Sequence, residues 1–146
     1  MPHGIHRTSA IALVCAALLA AFGCAHDAPA TASGDTLIRF APPPDGAEIV
    51  RMTALLEGRL RYRDGCFRVD TRHAPEGGTR VIWPHDYVAV ERRGHRGVMA
   101  SDGRTVLEGD HVRLGGGAVD TLHDRIIGRD RAARCGGPYT GAYLPD

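Results

Sequence analysis

The chain has 146 residues, 43% hydrophobic and 24% charged, with a formal net charge of +1 at pH 7. That length allows one domain with a modest core, and 18 basic residues against 17 acids exclude the marked basic excess of a nucleic-acid-binding surface. Every basic residue is arginine, and lysine, asparagine and glutamine are absent; with abundant Ala, Gly and Asp, this reads as the codon bias of a GC-rich bacterial genome, not as a binding signature.

The first segment, Met1–Ser9, carries Arg7 and no acid. It leads into the apolar run IALVCAALLAAF, roughly a dozen residues and too short for the ~20 that span a bilayer. This is the pattern of a secretion signal. Ala21-Phe22-Gly23-Cys24 resembles a bacterial lipobox, a small residue directly before a cysteine. The resemblance implies cleavage before Cys24, lipidation of its thiol and anchorage in the envelope. Ala25 in the next position implies the periplasmic face of the outer membrane. The box departs from the usual pattern, with Ala21 where leucine is common and a bulky Phe22. Ordinary cleavage at Ala28-Pro29-Ala30 or Ala30-Thr31-Ala32 is the alternative.

Residues 24–47 are rich in Ala, Pro and Gly, with a triple proline at Pro42–Pro44. Such composition cannot bury a core and reads as an extended tether. Leu37-Ile38-Arg39-Phe40 is an apolar interruption able to dock on the domain that follows, residues 48–146.

That domain is patterned as short strands. In Thr53–Tyr62 and beyond, Leu60 and Tyr62 alternate with Arg59, Arg61 and Arg63, as on a half-buried strand with arginines outward. Asp64-Gly65 is a hairpin signal, so Arg59–Arg63 and Cys66–Asp70 should pair. Arg80–Trp83 and Tyr87–Glu91 read as the next strands. Arg92, Arg93 and Arg96 then form a basic cluster, read either as a solvated hairpin tip or as an anion contact. Gly97–Ala100 and Thr105–Leu107 flank a second Asp-Gly turn, Asp102-Gly103. Val112–Leu114 precedes Gly115–Gly117, where glycine permits either a turn or a close backbone approach. Ala118–Arg134 is the one helical candidate, cut short by Gly128. Turn signals every eight to twelve residues suggest a small barrel or sandwich.

Two cysteines remain once Cys15 is discarded with the signal and Cys24 is assigned to lipid. Cys66 and Cys135 lie in an expected oxidising compartment, with no CxxC or ligand cluster beside them, and are expected to form a disulfide. The bridge would staple the terminal segment RCGGPYTGAYLPD to the body.

The elements Gly58–Leu60, Asp64–Val69, Val81–Pro84, Asp102–Val106, Gly109–Gly117 and Cys135–Tyr139 together resemble a small domain of uncharacterised bacterial secreted proteins and lipoproteins. The spacing within that resemblance implies a compact Greek-key barrel of the oligonucleotide/oligosaccharide-binding (OB) type and attaches no activity. The expected fold is all-β with at most one short helix.

No catalytic motif emerges. Ser101 has no Gly-x-Ser-x-Gly elbow, the triple glycine lacks a phosphate-loop context, and no histidine falls in HExxH, HxH or facial-triad spacing. Trp83 reads as core, with a ligand platform as the other reading. The leading expectation is a non-enzymatic binding or structural module without cofactor, catalytic residue or metal, facing an envelope protein or a glycan and no nucleic acid. The alternative is a small metal-dependent hydrolase or metal-binding protein using His73, His85, His95 and His111.

Overall fold

The computed structural model describes residues 30–31, 37–47, 51–72 and 76–145. The signal, Cys24 and His73 lie outside the described residues. Strands β1 (Ala30–Thr31) and β2 (Arg39–Phe40) precede β3 (Ala54–Arg63), β4 (Cys66–Asp70) and β5 (Thr79–Ile82). A meander of β6 (Val88–Arg92), β7 (His95–Met99) and β8 (Thr105–Leu107) follows. Then come β9 (His111–Val119), β10 (Ile126–Ile127), helix α1 (Arg129–Cys135) and β11 (Tyr139–Tyr143).

Five strands close into a barrel in the order β11-β5-β4-β3-β9. β11 pairs parallel with β5, and the other contacts around the ring are antiparallel. In chain order the barrel strands thus run first, second, third, fifth, fourth and back to the first, which is the Greek-key topology of an OB-type barrel. The meander is inserted between the third and fourth barrel strands and forms a second sheet with β1 on its outer edge. β2 and β10 make a short ladder of their own.

The β3–β4 hairpin follows from its residues. Asp64 and Gly65 both take positive φ, 53° and 84°, as a two-residue turn matched to strand twist requires. The register then sets Leu60 opposite Val69 and Tyr62 opposite Phe67. Alternation sends Leu60, Phe67, Val69, Val81, Val112, Leu114 and Ala142 into the barrel. Four rings run through this interior: Tyr62 to Phe67 at 4.8 Å, Phe67 to Trp83 at 6.3 Å, and Trp83 to Tyr87 at 5.9 Å. Trp83 is fully buried and is a core residue.

A second apolar cluster lies outside the barrel wall. Cys66 and Ile82 point outward from β4 and β5 and are covered by Ile38, Ile126, Ala132 and Cys135. Leu37 and Ile38 are themselves buried. The end of the expected tether therefore packs into the body, held by Phe40 N–H to the Trp83 carbonyl and Trp83 N–H to the Ile38 carbonyl, both 2.9 Å.

Two readings left open by the sequence are decided, and the terminal segment gains a definite place. Gly115–Gly117 is not a turn: β9 runs straight through it, pairing Gly116 with Ala54 of β3 and with Ala142 of β11. A Cβ on Gly116 would lie 2.1 Å from the Gly141 carbonyl oxygen, so the close-approach reading holds. The helical piece expected over Ala118–Arg134 begins only at Arg129, after Gly128 at φ 80°. The terminal segment is held by more than the bridge, because β11 is a barrel strand with a neighbour on each side.

Cys66 and Cys135 form a disulfide, with Cα atoms 6.4 Å apart and a sequence separation of 69. It ties α1 to the second barrel strand. Replacing Cys135 by serine removes a constraint on the unfolded chain worth about 4 kcal/mol for a loop of that length. Denaturant titration should show a lower midpoint of that order, and an unchanged midpoint would mean that β11 and the outer cluster hold α1 without it.

Candidate functional site

A cleft of about 510 Å³ opens on the outer face of β9 and β11. Gly116 and Gly141 are among its lining residues, and large side chains lie over the glycines around them. Gly141 lies under the Phe40 ring and Gly117 under Met52, while Gly115 lies under the Tyr143 ring. A Cβ at any of the three would come within 3 Å of the group above it. Glycine at these positions lets large side chains lie flat on the sheet.

One wall is the chain from Phe40 to Ala47 with Arg51 and Met52. Proline at Pro43 and Pro44 stiffens this wall by fixing φ. Its position is set by Ala41 N–H to the Arg125 carbonyl at 2.7 Å and by Arg125 Nη2 to the Pro42 carbonyl at 3.0 Å. The opposite wall joins the Pro84–Tyr87 turn to the β7–β8 turn. There the Ser101 hydroxyl donates to Asp86 at 2.7 Å, and Arg104 Nη2 lies 2.6 Å from Asp102. The Arg104 side-chain hydrogen bond holds the Asp102 carboxyl below its usual range. Arg104 also donates to the Pro145 carbonyl, closing the end of the cleft.

Flat surfaces recur along it. His123 stacks on Phe40 at 6.4 Å, and the Arg51 guanidinium sits over Tyr143 at 5.3 Å. Tyr87 lines the cleft from the core side and accepts a hydrogen bond from Leu144 N–H at 3.0 Å. The cleft therefore joins flat apolar faces to separated acids and guanidinium groups, an arrangement suited to holding a molecule of mixed polarity.

The residues singled out in sequence are placed elsewhere or in part. Arg92 ends β6, Arg93 takes φ 52° in the tight turn, and Arg96 lies on β7. Arg96 is engaged by Tyr62, with Nη1 donating to the hydroxyl at 2.8 Å and the guanidinium 4.6 Å from the ring centroid. Of the candidate histidines, His85 reaches the cleft wall. His95 starts β7 and His111 starts β9, where it lies 3.7 Å from Glu57. Among the described residues no group of three or more His, Cys, Asp or Glu side chains is placed to hold a metal ion. Ser101 has an acid as its partner and no histidine.

Sequence reasoning missed Phe40, Arg51, Met52, His123 and Tyr143 as neighbours. They come from three stretches of chain, and only the glycine pattern of β9 and β11 hints that something large lies on that face.

Tyr87 offers a check on the cleft's core side. Burial pushes its phenol pKa up from 10.0, and the Leu144 hydrogen bond offsets part of that rise. A raised folded-state value means that the neutral phenol stabilises the fold fully below about pH 10, and that this contribution is lost as pH climbs through the higher folded value. Tyr87→Phe should cost about 1–3 kcal/mol at neutral pH by leaving the Leu144 amide unpaired. The gap between variant and native protein should narrow above about pH 10, measured by denaturant midpoints. A gap independent of pH would place the phenol in water.

In comparisons with known proteins, no family model, no curated protein and no solved structure matches the chain, so the functional reading rests on this geometry.

Proposed function

We propose that this chain is a lipid-anchored protein of the bacterial envelope whose barrel is a non-enzymatic glycan-binding module. The observation that carries the binding reading is the cleft between the Phe40–Ala47 wall and the outer face of β9 and β11. Its volume is that of a ligand site. A sugar ring presents an apolar C–H face and a rim of hydroxyls. The stacked pairs His123–Phe40 and Arg51–Tyr143 supply flat surfaces for the first. Asp86, Asp102 and Ser101 supply acceptors and a donor for the second. The cleft's Ser101 hydroxyl is held by the Asp86 carboxylate and not by a histidine base, which favours holding over turnover.

The anchor rests on sequence: the basic start with Arg7, the short apolar run and Cys24 in its lipobox-like setting. In this reading the chain leaves the membrane at Cys24, meets the body first at β1, which pairs with β6, and enters the core at Leu37. The tether then continues directly into one wall of the cleft, so the site faces envelope material near the outer membrane's periplasmic face. Among the described residues no helix is long and apolar enough to cross a membrane.

Two measurements test the proposal separately. Intact mass of the protein taken from its native envelope should match residues 24–146 plus acyl chains. A lipid-free mass beginning near residue 31 or 33 would remove the anchor and leave a diffusible module. For the cleft, the protein should co-sediment with purified cell-wall glycan. Replacing both exposed partners, Arg51→Ala and His123→Ala, should lower the retained fraction by about tenfold, the loss expected when two stacking contacts vanish. Equal retention of native and double-variant protein, or none by either, would overturn the glycan reading and leave a protein partner as the remaining occupant.

A further inference from the structure

β4 and β5 are paired so that Arg68 faces Arg80 across the ladder. Val69 and Val81 point into the barrel, so alternation puts both arginines on its outer face. Like charges set directly opposite in an antiparallel pair repel. The pair is also short of counter-charge. Arg68 is buried, with its side chain 7% exposed, and its nearest acid is Asp64 at 3.6 Å, whose own side chain is 89% exposed. Among the described residues no carboxylate lies within ion-pair distance of Arg80. Burial and the neighbouring Arg68 charge, in that order, pull the Arg80 pKa down.

Neutral carbonyls hold the two groups in place. Arg68 Nη1 donates to Gly77 O at 3.1 Å and Nη2 to Arg63 O at 3.3 Å. Arg80 Nε donates to Cys135 O at 2.9 Å, and its Nη1 to Gly78 O at 2.8 Å and Gly137 O at 3.2 Å. The carbonyls fix the guanidinium groups without neutralising them. Both groups also converge on one point: a methyl built on Gly77 would meet first Arg68 Nη1 at 3.5 Å, Arg80 Nη2 at 3.5 Å and Arg80 Nη1 at 3.7 Å. Guanidinium nitrogens from two strands thus face a single small volume beside a glycine with φ 92°.

We propose that Arg68 and Arg80, beside the Gly77-Gly78 turn, form a binding site for a tetrahedral oxyanion of the phosphate type. A tetrahedral anion can accept from two guanidinium forks at once, whereas one carboxylate occupies a single fork. Its charge offsets the repulsion between the arginines. The site shares no residue with the cleft and does not rest on the glycan reading.

Titration of the isotopically labelled protein with inorganic phosphate, against chloride at matched ionic strength, tests it. Amide resonances of Gly77 and Gly78 and the Arg80 Nε–Hε resonance should move together and saturate. Arg80→Gln should weaken the affinity by about tenfold, and Arg113→Gln, which alters an exposed arginine on β9, should leave it unchanged. Shifts that never saturate, that spread evenly over exposed arginines, or that persist at full strength in Arg80→Gln would overturn the site. If Arg80→Gln fails to fold, the localisation and saturation of the native shifts still decide. Vesicles with and without phosphatidylglycerol identify the source. Displacement of bound phosphate by the anionic vesicles alone supports the site with a lipid headgroup as ligand; binding of free phosphate without displacement supports it with a soluble phosphate.

Discussion

The arrangement depends on a strand that must come close to its neighbours on both edges and on its outer face at once. β9 pairs with β3 along one edge and β11 along the other, and at Gly115–Gly117 it does so without side chains. Inside the ring the missing Cβ of Gly116 lets β11 pass within contact distance. Outside it, the bare backbone at Gly115 and Gly117 accepts Tyr143 and Met52. The same three residues let the five-stranded ring close and let Tyr143 and Met52, which line the cleft, lie on β9. Larger residues would force either the ring to open or the rings above it to lift, and interiors packed at crystal-like density accommodate neither cheaply.

A single sheet face therefore serves two purposes at different heights. Toward the axis, Leu60, Val69, Val81, Val112 and Leu114 fill the barrel and need no partner beyond one another. On the outer side, Ile82 and Cys66 need a cover, and the chain provides one from three separate places: Ile38, Ile126 and α1. The disulfide ties the most remote of those covers to the wall it protects. Arg80 adds a polar clasp to the same cover through the Cys135 and Gly137 carbonyls.

Local signals made part of this legible. The Asp64-Gly65 turn and the alternation around Leu60 and Tyr62 give the first hairpin its register, and parity with compartment points to the Cys66–Cys135 pair. Other elements carry no local signal. Tyr139–Tyr143 has no polar–apolar alternation, since Thr140 is buried by donating to the Gly117 carbonyl and Gly141 is buried under Phe40. Three consecutive glycines have the same local preferences in a turn as in a crowded strand; only the neighbours distinguish them. Proline-rich composition argues against burial for residues 24–47, yet Leu37 and Ile38 within it are core residues. The cleft is the least legible part, because its two walls meet only after the ring has closed.

The route by which the chain enters its body also sets how that body answers to mechanical load. A pull applied from the N-terminal side reaches first the β1–β6 ladder at Ala30–Thr31, then the two hydrogen bonds with Trp83 and the short ladder between β2 and β10. Those contacts are few and peripheral to the ring. The barrel itself is fastened by longer ladders and by a covalent bridge on its far strands. Under tension the β1 and β2 segments are thus the weaker fastenings, and release of β2 would carry away the Phe40 wall while the barrel stayed shut. Displacing the β2 segment would alter the cleft before it altered the fold.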